Sequence, residues 1–315
     1  MARSNIRRKR IVALAGGVGG AKFLLGLCHV RPPEDLAVIG NTGDDLEWLG
    51  LRICPDLDTI AYTLAGVVNR QTGWGLAGDT FHCLSGLSAY GVETWFRLGD
   101  QDLATHLHRT RLLREGVSLA EVTARICRAL GVQSRILPMS EGYHPTFLLT
   151  DQGWLHLQEY LVREKCRPVV KELKYAEMDD ARIPGGVEEV IGKAEAVILS
   201  PSNPLISIGP ILAVPGLVPL LKHTPVPVIA ITPIIEGQAL KGPAAKMLRE
   251  LGYDVSALAV ARIYREIIDC FVLDQRDAPS RHAIERLGIR VEIMDTMMAT
   301  LADKIRLASQ VVKLW

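Results

Sequence analysis

The chain has 315 residues, 48% hydrophobic and 23% charged, which is ordinary globular composition with enough apolar material for one large core or two small ones. Its 36 Lys and Arg against 35 Asp and Glu leave a net charge of +1, so no global field favours nucleic acid or an anionic membrane, and any phosphate binding must be local. Six scattered cysteines (28, 54, 83, 127, 166, 270) form no CxxC pair, which argues against a zinc site or a disulfide framework and predicts mostly buried, reduced thiols and a cytoplasmic location. The apolar stretches, such as Pro225–Ile235, are broken by prolines and far short of the ~20 residues that cross a bilayer, and residues 1–10 do not read as a signal peptide.

Arg3 and the basic run Arg7–Arg10 read as a solvated N-terminal tail. Ile11–Ala15 is then a short apolar run, a buried parallel strand, followed by a glycine turn and a helix over Ala21–His29. Leu36–Ile39 is a second strand, closed by Gly40-Asn41-Thr42-Gly43. Asp56–Val68 has helical spacing, with Asp58-Thr59 as capping residues. Gln101–Arg114 and Ser118–Leu130 are predicted amphipathic helices, and Ser118 with Glu121 fits a capping box. Thr146–Leu149 and Trp154–Leu157 flank Asp151-Gln152-Gly153 as a hairpin. Val187–Ala194 is helical. Ala196–Leu199 and Val226–Ile231 are strands, followed by helices over Ala244–Leu251, Ala257–Tyr264 and His282–Leu287 and strands at Phe271–Leu273 and Val291–Met294. Alternating strands and helices predict an α/β fold with a mainly parallel sheet, a single domain over 11–315, and a largely helical insertion at about 60–185.

Four short segments and one helix are candidates for chemistry. Gly16-Gly17-Val18-Gly19-Gly20 ends a strand and opens a helix, where glycines admit a close ligand and free N–H groups favour an anion; Lys22 adds a point charge. The spacing is neither GxGxxG nor a P-loop, and a plain tight turn is an equal reading. Asn41-Thr42-Gly43-Asp44-Asp45 follows the second strand, where open α/β sheets bind ligands, and suits magnesium held by one or two carboxylates and substrate phosphates; an Asp-rich turn is the bland alternative. Cys54-Pro55-Asp56-Leu57-Asp58-Thr59 adds two acids. Asp56 is expected to cap its helix, leaving Asp58 as metal ligand or base. Ser200-Pro201-Ser202-Asn203-Pro204, with Ser207, suits phosphate or nucleobase edges, though the residues alone favour a plain turn with an N-cap. Arg97 precedes a helix bearing His106, His108, Arg109 and Arg111, any of whose cations suits a phosphate, whereas a lone helical His is usually structural. No nucleophile elbow is present, which disfavours a serine hydrolase.

Together, AGGVGGA (15–21), NTGDD (41–45), RICPDLDT (52–59), LGDQDLATH (98–106), LPMS (137–140), SPSNPLISIGP (200–210) and TPII with KGPAAK (232–235, 241–246) resemble the 2-phospho-L-lactate transferase family of coenzyme F420 biosynthesis. The resemblance implies a Rossmann-like fold with a helical insertion, a homodimer and dependence on Mg2+. It implies the FO deazaflavin as acceptor, a lactyl- or enolpyruvyl-diphosphoguanosine as donor, and GMP as leaving product. The family's catalytic, metal and acceptor aspartates fall on Asp44 and Asp58, with Asp45 beside them, and its basic acceptor contact on Arg97. Guanosine diphosphate would lie across Gly16, Gly17, Val18, Gly19, Gly20 and Lys22 on one side and Ser202, Asn203, Pro204 and Ser207 on the other. A related group of nucleotide-sugar-binding regulators is the alternative, but it carries a DDGGSSGR-type stretch where this chain has Leu46-Glu47-Trp48-Leu49-Gly50 after its two aspartates. A nicotinamide-dependent dehydrogenase, suggested by the glycine turn alone, finds no support in the other segments.

Overall fold

A computed structural model describes residues 10–239 and 242–315. Seven strands form its central sheet: β1 (Arg10–Ala15), β2 (Leu36–Gly40), β3 (Arg135–Pro138), β4 (Ala194–Leu199), β5 (Val228–Ile231), β6 (Cys270–Asp274) and β7 (Arg290–Met294). They lie in the order 3-2-1-4-5-6-7, and every pairing is parallel. The chain therefore starts at the centre, winds outward through β3, and returns to β4 to build the other half. The strand order reverses between β1 and β4, the position at which doubly wound sheets open a ligand crevice.

Both sheet faces are covered, which explains the unbroken apolar runs. Val12, Leu14, Ile39, Val197 and Leu199 enter the core on one face, while Ile11, Ala13, Val38 and Ile198 enter the core on the other. On that second face α1 (Gly17–Val30) packs on the C-terminal helix Leu301–Val311 closely enough that a Cβ at Gly26 would strike the Lys304 carbonyl. α1 starts four residues before its expected first residue, because the glycine turn is itself the first helical turn.

The expected α2 is shorter than its apolar spacing suggested. It spans Pro55–Leu64 and stops before Gly66, whose φ of +75° takes the chain out of the helix. Asp58 and Thr59 lie inside it, and its N-cap, Cys54, makes no capping bond through its side chain. Beyond α2 come α3 (His82–Ala89), α4 (Asp100–Arg114) and α5 (Leu119–Ala129), the last capped by Ser118 Oγ accepting from Glu121 N at 3.3 Å. The inserted segment is thus helical over its first half. Its second half adds β3 to the main sheet and a three-stranded antiparallel sheet (Thr146–Thr150, Gly153–His156, Val170–Tyr175) that contains the expected hairpin. Four residues of RILP are too few to show a strand period, so β3 had no signal in the sequence.

Cys54, Cys127 and Cys270 are buried, Cys28 and Cys166 half-buried, and Cys83 is exposed; all six are free thiols. Among the described residues no helix is long and apolar enough to cross a membrane. Arg3, Arg7, Arg8 and Lys241 lie outside the described residues.

Candidate active site

A cavity of about 510 Å³ opens beyond the carboxyl ends of the central strands. Gly16–Val18 after β1, Asp44 after β2, and Asn203, Ile206 and Ser207 after β4 form its sheet side. Asp56, Asp58, Thr59 and Tyr62 of α2 and Asp102 and His106 of α4 form a second wall. Trp74, Phe96, Arg97 and the segment 157–162 complete it. It therefore sits at the reversal of strand order, where the topology directs a ligand.

The glycine turn has two jobs, and only one faces the cavity. Gly17 has φ +65°, a left-handed conformation that a side chain would strain. Its N–H donates to Asp56 Oδ1 at 2.6 Å, and Asn41 Nδ2 donates to Asp56 Oδ2 at 2.8 Å. Asp56 therefore caps α1 and not its own helix, a correction to the sequence expectation. The reason is long-range: the sheet sets the start of α2 against the start of α1. A Cβ on Gly19 would lie 2.6 Å from the Pro201 carbonyl oxygen, and one on Gly20 would lie 2.7 Å from Ser202 Oγ. These two glycines let α1 press on the loop after β4. Ser202 Oγ in turn donates to the Gly16 carbonyl at 2.7 Å and sits 2.9 Å from Ser200 Oγ.

Of the ten residues expected to hold the nucleotide, Gly16, Gly17, Val18, Asn203 and Ser207 line the cavity, whereas Gly19, Gly20, Lys22, Ser202 and Pro204 do not. Asn203 Oδ1 accepts from Leu205 N at 2.9 Å as an N-cap, and its Nδ2 is a buried donor without a partner among the described residues.

The acids divide sharply. Asp44 is buried and lines the cavity. Gln158 Nε2 donates to its backbone carbonyl at 3.0 Å and to Oδ2 at 3.3 Å, and Oδ1 is left without a partner among the described residues. Burial, then the neighbouring Asp56 and Asp45 carboxylates, push Asp44 well above the usual carboxylate range. Asp56 is within hydrogen-bond reach of Asp44 and is pushed up to about 6, chiefly by burial. Asp45 turns the other way. Its Oδ2 accepts from Arg52 Nε at 3.0 Å and from Cys54 Sγ at 3.0 Å, and Arg52 Nη2 is 2.8 Å away. Burial raises it to about 6, with Arg52 opposing.

Asp58 is in a bidentate ion pair with Arg109, whose Nη1 donates to Oδ2 at 3.0 Å and whose Nη2 donates to Oδ1. Asp44, Asp45 and Asp58 therefore do not converge on one ion as expected. Consecutive residues of a turn point apart, and Arg52 and Arg109 have taken two of the three. Among the described residues no three His, Cys, Asp or Glu side chains are grouped to hold a metal by themselves. The Asp44 Oδ1 oxygen remains, in an acid-rich pocket short of positive charge. That fits an ion which keeps most of its shell from water and substrate phosphates.

Sequence reasoning missed most of the second wall. Tyr62 OH donates to Asp102 Oδ1 at 2.7 Å, His106 Nε2 is 3.3 Å from the same oxygen, and His106 Nδ1 is 3.1 Å from Arg109 Nη1. The signal was there as spacing: Asp58 and Tyr62 are four apart on α2, and Asp102, His106 and Arg109 share one face of α4. Arg97 is exposed at the rim, its guanidinium stacked 4.5 Å from the centroid of the Phe81 ring.

This is an open α/β protein with a ligand cavity at its topological switch point, lined by a helix-initiating glycine turn and by carboxylates. The family model described as 2-phospho-L-lactate transferase CofD matches residues 11–310, and the chain belongs to that family. It is 40% identical over 311 residues to a phosphoenolpyruvate transferase of Streptomyces griseus, covering 97% of this chain and 98% of the relative. It is 39% identical over 305 residues to a 2-phospho-L-lactate transferase of Methanosarcina acetivorans, covering 97% and 99%. A crystal structure of a UPF0052-family protein from Bacillus halodurans shares the fold, with a TM-score of 0.62 at 14% identity over 96% of this chain and 98% of that one.

Proposed function

We propose that this chain transfers a 2-phospholactyl or phosphoenolpyruvyl group from a diphosphoguanosine donor to the terminal ribityl hydroxyl of the FO deazaflavin, a step of coenzyme F420 biosynthesis. The hydroxyl oxygen bonds to the β-phosphorus as its O–H bond breaks and the proton is released to solvent, the bond from the β-phosphorus to the bridging oxygen breaks, and that oxygen leaves as part of GMP. Family membership supports the transferase class. The observation that carries the rest is the cavity itself. It joins the anion-favouring start of α1, the donors of Asn203 and Ser207, the unpartnered oxygen of Asp44, and an apolar wall of Ile53, Trp74, Phe96 and Leu157 that suits a flat ring.

A diphosphate at Gly16–Val18 would meet Asp44 and Asp56, two carboxylates in each other's reach. Like charges so placed need a shared proton or a cation, so Mg2+ is the proposed companion of the donor, held by Asp44. Bound there, the ion would offset charge on the phosphates during transfer. Asp58, held rigid by Arg109, keeps lone pairs on both oxygens with which to orient the acceptor hydroxyl. Arg97 at the rim would meet the acceptor. Most of the catalysis then comes from positioning. A homodimer belongs to the same proposal and is checked by light scattering.

The similarity of 40% and 39% to relatives named for different groups does not separate the donors. The test therefore supplies FO and Mg2+ with the lactyl and the enolpyruvyl donor separately and follows products by mass spectrometry. GMP and a phosphodiester of FO in equal amounts are expected from one of them. Absence of product from both, with no thermal stabilisation by GDP or FO, overturns the proposal; stabilisation by UDP-sugars instead selects the regulator. A ligand at a hundred times its Kd contributes about 2.7 kcal/mol, or about 4 °C for a chain of this size.

A further inference from the structure

Four carboxylates line the cavity, and their oxygens are not equally available. Asp56 is engaged by Gly17 N and Asn41 Nδ2, and Asp58 by both terminal nitrogens of Arg109. Asp44 keeps one oxygen without a partner among the described residues, buried among acids. Asp102 differs from all three. Its Oδ1 accepts from Tyr62 OH at 2.7 Å and lies 3.3 Å from His106 Nε2, while its Oδ2 makes no hydrogen bond with any described residue. The side chain is 13% exposed, on the cavity wall.

Tyr62 OH holds the inner oxygen, His106 Nε2 stands beside it, and the backbone is fixed as well, since Asp102 N donates to Asp79 Oδ2 at 3.0 Å. Arg109 Nη1 directs its hydrogen at His106 Nδ1, so that nitrogen acts as acceptor, and Nε2 carries the ring hydrogen that faces Asp102. The outward oxygen is therefore a fixed, open hydrogen-bond acceptor. Burial works against its charge, but the His106 ring beside it, the Tyr62 hydrogen bond and the nearby Arg109 outweigh this and hold the carboxyl below its ordinary value.

We propose that Asp102 is an acceptor-binding residue, whose outward oxygen receives a hydrogen bond from a hydroxyl of a polyhydroxylated acceptor chain. A phosphate is repelled there, and a second cation is disfavoured by Arg109 close behind. A neutral donor group is what remains, and an alditol chain carries several. This rests on the transferase reading above and adds a second acid to the acceptor side. Asp58, held by Arg109, and Asp102, held by Tyr62, stand on facing helices with His106 between them and form one wall along which such a chain is aligned.

Asp102→Asn tests this closely. The amide oxygen keeps both inner partners, and an NH2 replaces the open acceptor. The expected result is a 10- to 100-fold fall in kcat/KM for FO, the loss of one charge-assisted hydrogen bond, with GDP–Mg2+ stabilisation unchanged. A deazaflavin bearing an alkyl chain without hydroxyls should bind wild type and variant equally. Unchanged FO kinetics in the folded variant, or an equal loss for the alkyl analogue, overturns the proposal. If Asp102→Asn lowers Tm by more than about 5 °C, Tyr62→Phe replaces it. That change unlocks the inner oxygen and should raise KM for FO with GDP binding intact; an unchanged KM overturns the proposal too. Failure of wild type to turn over FO at all would instead sink the transferase reading.

Discussion

Replacing Arg109 with Met removes the cation from a largely buried carboxylate on the cavity wall. Arg109 and Asp58 side chains are 1% and 7% exposed, and the pair is bidentate. Removing one partner of a buried pair leaves an uncompensated charge and costs about 3–5 kcal/mol. For 315 residues the unfolding entropy near the midpoint is about 0.66 kcal/mol/K, so Tm should fall by about 5–8 °C. Differential scanning calorimetry at neutral pH reads this directly. Asp58→Asn in the same background removes the stranded charge, so the double variant should recover more than half of the lost stability. A drop below 2 °C for Arg109→Met, or an Asp58→Asn change that deepens the loss, would show that Arg109 is not neutralising Asp58.

Other outcomes follow from the same geometry. Gly19→Ala sets a Cβ 2.6 Å from the Pro201 carbonyl, a backbone atom that yields only if α1 or the loop moves; a loss of about 1–3 kcal/mol and weaker GDP stabilisation are expected in thermal melts, and an unchanged Tm refutes the close packing. Asp44→Asn should abolish the extra thermal stabilisation that Mg2+ adds to GDP and lower kcat by about 100-fold; a retained Mg2+ effect would remove Asp44 as its ligand. Burial holds the His156 imidazole below its ordinary 6.5, opposed by its contact with the Asp45 carbonyl at 3.0 Å. The fold therefore favours the neutral ring. Its contribution is complete above pH 6.5 and is lost as pH falls through the depressed value. Tm measured from pH 7 to pH 5 should fall more steeply for wild type than for His156→Gln, and parallel curves would refute the assignment.

Much of the architecture was legible locally. The helix Ala257–Tyr264 matches its expected bounds, because Ser256 Oγ accepts from Ala259 N and the apolar period inside is regular. Strands buried on both faces announce themselves as apolar runs ending in glycine or serine, so β1, β2 and β4 and the loops that follow them were readable, and with them the place of the cavity. β3 was not, since four residues carry no period and its pairing with β2 is a tertiary fact.

The sequence by itself determined an α/β chain with a glycine turn, clustered aspartates and a hydroxyl-rich loop, each placed after a strand. Only the tertiary structure decided what each aspartate does. Asp44 and Asp45 are neighbours, yet one lines the cavity and the other turns away to meet Arg52; Asp56 and Asp58 share a helix, yet one caps α1 and the other meets Arg109, 51 positions away. The role of a carboxylate is set by the charges and donors that surround it. Those partners come from helices that only the folded sheet brings together.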